Sequence, residues 1–153
     1  MSLIEELTRV IHPKKYNNVT FLLDNIPIVT INFLKDGKVI LLINNMKELR
    51  YYELNYNANA DNFTNDVLDK LIYSGVDTML RQSKGSAMEF QGEPYLEGKI
   101  MKNKLIINQG ETDLDEEGEE VVRSDRHEIT AVIGLTGVTL AKTISAFALQ
   151  FYA

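Results

Sequence analysis

His12 and His127 are the only histidines in a chain of 153 residues that contains no cysteine. His127 stands in "RSDRHE" (123–128), where Asp125 or Glu128 could orient its ring. A histidine base of this kind needs a nucleophile within hydrogen-bond reach, and Ser124 is a neighbour in sequence only. A small hydrolase or metal-assisted enzyme built on His127 would have to recruit carboxylates such as Glu93 or Glu97 by folding. No HxH or HxxxH spacing offers a zinc pair. Without cysteine, thiolate catalysis, disulfides and sulfur-rich zinc sites are excluded. The expectation is a histidine at a strand end on the surface, with no catalytic, cofactor-binding or metal-binding set.

Three further stretches invite chemistry and fail a test of spacing. "GEPYLEGK" (92–99) suggests a phosphate loop, which requires four residues between its glycines and then Lys with Ser or Thr. Five residues separate Gly92 from Gly98, Ile100 follows Lys99, and Glu93 and Glu97 would repel phosphate. "ETDLDEEGEE" (111–120) places Asp113, Asp115, Glu117 and Gly118 as a calcium loop does. Its eighth position is Glu120 and its twelfth is Ser124, where an apolar residue and an acid are needed. Seven acids in ten residues read instead as a solvated, self-repelling acidic loop. Tyr51, Tyr52 and Tyr56 could stack on single-stranded nucleic acid, but too few bases lie nearby, and cross-strand packing is the expected role.

The elements that must position these residues follow from periodicity. Residues 2–11 read as an N-terminal helix, with Ser2 and Glu5 at capping-box spacing and Pro13 as its stop. Strands are expected at 18–24, at 27–34 with Pro27 opening, and at 49–56. Asp36-Gly37 between two apolar runs predicts a two-residue hairpin. Apolar residues from Phe63 to Leu80 recur every three or four positions and predict a central helix at about 62–82. A second hairpin is expected at 98–108 around Asn103, then a strand beginning near His127. The fold class predicted is α+β: one domain over residues 1–153, mainly an antiparallel sheet with three helices.

The last 25 residues, from Ile129 to Ala153, carry one charge, Lys142. A C-terminal membrane anchor would hold Lys142 near mid-bilayer, at a cost of about 2.5–3.5 kcal/mol. From Val138 the period is helical, and Leu140, Ile144, Phe147 and Phe151 form one apolar stripe on a helix at about 138–152. These four are the candidate partner-binding residues. The net charge of −6 argues against nucleic acid and anionic lipid as partners. The acidic "MSLIEELTRVI" start lacks the basic region of a signal peptide, so the expected location is cytoplasmic or within a cytoplasmically assembled particle.

Element order and acidity resemble those of small dimeric chaperones of secretion systems. The alternating strands and acidic loop also resemble a structural subunit of a phage-like particle. No motif carries either resemblance, so no family is assigned. The function expected is that of a non-enzymatic assembly subunit without cofactors, binding copies of itself in a homo-oligomer or another protein. Expressed protein is expected in the supernatant after fractionation at moderate salt. Recovery only in the membrane pellet, with release by detergent alone, would support the anchor instead.

Overall fold

A computed structural model describes residues 6, 9, 16–34, 38–44, 48–55, 71–73, 87–93, 95–130 and 143–144, with the side chains of 55, 111–113 and 122–124 excepted. Eight strands dominate them: β1 (Asn18–Leu23), β2 (Ile26–Phe33), β3 (Lys38–Asn44), β4 (Leu49–Asn55), β5 (Met88–Glu93), β6 (Leu96–Ile100), β7 (Lys104–Leu114) and β8 (Glu120–Thr130). They form one sheet in the order β4-β3-β2-β1-β5-β6-β7-β8, antiparallel at every step. Two four-stranded meanders thus meet along a β1–β5 seam.

This corrects the predicted α+β class. Among the described residues the chain is mostly antiparallel sheet, with one short helix and no helix of seven residues or more. Helical backbone is limited to residues 6, 9, 71–73 and 143–144. The rest of the helices expected at 2–11, 62–82 and 138–152 lies outside the described residues. Strand was underestimated mainly in the acidic region. Residues 111–114 belong to β7 and residue 120 opens β8, which leaves 115–119 as the connection. The acids are compatible with pairing because the register keeps them apart. Glu111 faces Arg123, Asp113 faces Val121, Leu114 faces Glu120 and Ile106 faces Glu128. Like charges directly opposite destabilise a ladder, and no pair from Lys104–Thr130 to Leu114–Glu120 sets acid against acid; Asp115 and Glu119 oppose each other only beyond it, at the exposed turn.

Turn chemistry sets the other registers. Asp24 and Asn25 both have positive φ, 52° and 66°, as a type I′ turn requires, and Asp and Asn tolerate that region. The β1–β2 register then shifts between Phe21 and Leu22, and Ile28 and Val29 are buried consecutively at that bulge. Between β2 and β3, Leu34 N–H donates to the Lys38 carbonyl at 2.8 Å. Positions 35–37 therefore separate the bonded pair, one more than the Asp36-Gly37 hairpin predicted, and they lie outside the described residues. The acidic tip closes on Asp115, whose Oδ1 accepts from the amides of Glu117 (2.9 Å) and Glu119 (2.8 Å). Gly118, at φ 80°, takes the left-handed position there.

One face of the sheet carries the core. Val19, Phe21, Leu23, Ile31, Val39, Leu41, Ile43, Met88, Phe90, Ile100, Leu105 and Ile107 alternate inward and are buried. Tyr16, Ile72 and Ile144 join the same cluster. A single inner row crosses the whole sheet through directly opposed residues: Arg50, Ile43, Val29, Phe21, Phe90, Gly98, Ile107 and His127. At its centre the Phe21 and Phe90 rings lie 6.1 Å apart, tilted by 44°. The Phe90 ring fills the place of a Gly98 side chain, where a Cβ would meet it at 2.3 Å and the Ile106 carbonyl oxygen at 2.2 Å. Tyr16 donates to Gln109 Oε1 at 3.0 Å, a buried bond that ties the approach to β1 to β7 across the seam.

Gly98→Ala is expected to destabilise the fold by about 1–3 kcal/mol or more, because a backbone oxygen cannot rotate away. Gly118→Ala, with nothing within 4 Å of the new Cβ, meets only the cost of its positive φ, about 1 kcal/mol. Chemical denaturation of both variants checks the order. Equal losses would mean that the packing over Gly98 is not tight.

Candidate functional site

The period of two sorts the predicted chemical residues onto opposite faces. His127 lies opposite Ile107 and two residues from buried Ile129, so it belongs to the inner face at the β8 edge, where it is half-buried. It stands within β8, not at the strand's end. Glu93 and Glu97 alternate with inward Gly92, Leu96 and Gly98, so they belong to the outer face and are exposed. The sheet itself separates the histidine from both carboxylates. Among the described residues no three metal-ligating side chains converge. Asp115 and Glu117 occupy a tight hairpin turn, with Asp115 Oδ1 engaged by backbone amides. Residues 92–99, expected as a loop leading to a hairpin, form the β5–β6 hairpin themselves, with Tyr95 at φ 48° in its turn.

Of the partner stripe, Ile144 is wholly buried in the chain's own core. Leu140, Phe147 and Phe151 lie outside the described residues. No described helix is long and apolar enough to cross a membrane.

The outer face is mostly polar and holds a shallow hollow of about 320 Å³. It is lined by Leu22, Glu89, Gln91, Glu97, Lys99, Ile106, Asn108 and Arg126, with the backbone of Phe90 and Gly98 below. Its charges are mixed, and it contains no His, Ser, Thr or Tyr. A general base paired with a hydroxyl nucleophile is therefore not assembled there.

A different arrangement stands at the far edge. On β4, Leu49, Tyr51 and Glu53 point outward while Arg50, Tyr52 and Leu54 point toward the core. Leu49 is 65 % exposed and Tyr51 58 %. Beside them on β3, outward Ile40 and Leu42 are half-buried, with Leu42 directly opposite Tyr51. Further in, the outer face turns polar: Thr30 and Thr20 sit opposite each other with hydroxyls 3.3 Å apart. An apolar strip thus lines the β3–β4 edge; elsewhere on the outer face Leu114, at the end of β7, is 65 % exposed, and Leu22 and Ile106 are half-buried. Arg50 hydrogen-bonds Glu48 at 2.7 Å, and that carboxylate, with the Tyr52 hydroxyl, raises the guanidinium pKa further. The edge keeps its cation at every working pH.

Periodicity alone reads Tyr51 and Leu49 as one face of a strand, but not as an edge. Edge position depends on strand order, which no local signal carries. No protein-family model matches the chain, and no curated protein or solved structure matches it either.

His127→Ala should leave the fold cooperative, at a cost of about 1 kcal/mol or less. Thermal unfolding measured beside any biological readout checks this. Loss of the readout at an unchanged melting temperature would restore a chemical role to His127.

Proposed function

We propose that this chain is a non-enzymatic assembly subunit that works by binding protein, copies of itself first, in the cytoplasm. The observation that supports the reading is the exposed Leu49–Tyr51 strip on an edge strand. A long edge with outward apolar side chains presents unpaired backbone groups and dry surface together, which natural sheets otherwise blunt with charge, proline or a bulge. Covering Leu49 and Tyr51 is worth about 1.5–3 kcal/mol for a large apolar side chain. Strand addition brings main-chain hydrogen bonds as well. The separation of His127 from Glu93 and Glu97 weighs against the hydrolase alternative.

Sedimentation of the full chain at micromolar concentration is expected to give a mass above the 17.4 kDa monomer. The double substitution Leu49→Lys/Tyr51→Lys should return it to the monomer while changing stability by no more than about 0.5 kcal/mol per site, as for exposed positions. A wild-type chain that stays monomeric at every concentration would overturn self-assembly.

A further inference from the structure

We draw no further inference here: the strongest candidate, the apolar Leu49–Tyr51 strip on the β4 edge, belongs to the surface already proposed for assembly, and nothing in the structure shows which strand covers it, since β4 and β8 of a second copy would both add to it antiparallel.

Discussion

The contact between Phe21 and Phe90 decides whether this chain has one core or none. Six of the seven strand pairings are hairpins between consecutive strands, closed by short connections. Only β1–β5 is long-range, with residues 24–87 between its ends. Closing a flexible loop of that length costs about 4 kcal/mol in chain entropy. Burying two Phe rings returns about 3–6 kcal/mol, and their tilted packing adds about 0.5–1.5 kcal/mol. These two side chains offset that cost, and the buried Leu23–Met88 pair and the Tyr16–Gln109 hydrogen bond add to the closure. Glycine weakens a strand interior, yet at 98 it is the residue that leaves room for the Phe90 ring over β6. The seam makes the strand order, and the strand order makes β4 and β8 the edges.

An antiparallel sheet commonly packs one face and leaves the other to water. Here that division holds along most of β5 to β8, where inward Met88, Phe90, Leu96, Ile100, Leu105 and Ile107 alternate with exposed or half-exposed polar residues such as Glu89, Gln91, Glu97 and Lys99, with outward Ile106 and Leu114 as exceptions. It fails on β3 and β4, where Ile40, Leu42, Leu49 and Tyr51 put apolar atoms on the wet side. The same sheet thus obeys the inside–outside rule along most of its width and gathers several departures side by side on β3 and β4. Departures of this kind mark surfaces with something to bind.

Local signals were legible where apolar alternation was strong. The strands expected at 18–24, 27–34 and 49–56 stand at Asn18–Leu23, Ile26–Phe33 and Leu49–Asn55, and the hairpin at 98–108 turns between Ile100 and Lys104. The turn at Asp24-Asn25 went unread because its chemistry, a left-handed pair made by Asp and Asn, lacks the glycine that usually announces it. Residues 111–120 were misread because charge density was given more weight than period. The face on which His127 lies could be read, since Ile129 is in phase with it. The opposite placement of Glu93 and Glu97 could not, since it needs the register of β5 and β6, and that register needs the seam. The candidate edge was invisible for the same reason.

Charge also specifies the register of the long hairpin, beyond what the hydrophobic pattern can do. A slip by one residue would turn Leu105, Ile107 and Ile129 outward and is forbidden by burial. A slip by two residues keeps every face and is not forbidden that way. Moving the pairing two residues toward one end would set Glu111 opposite Asp125 and Glu116 opposite Glu120. Moving it two residues the other way would set Asp113 opposite Glu119. Each opposed pair of like charges costs a few tenths to about 1 kcal/mol. The observed register escapes these pairs, sets Glu111 against Arg123, and keeps one acid pair, Asp115 and Glu119, at the turn. Nine acids crowded into one hairpin therefore do not argue against a ladder: between Lys104–Thr130 and Leu114–Glu120 the observed register opposes no two acids, and the acid pair it keeps, Asp115 with Glu119, lies at the exposed turn. The surplus they create is concentrated at residues 111–120, where seven of the nine acids lie, while the edge strand β8 itself carries three acids and two arginines.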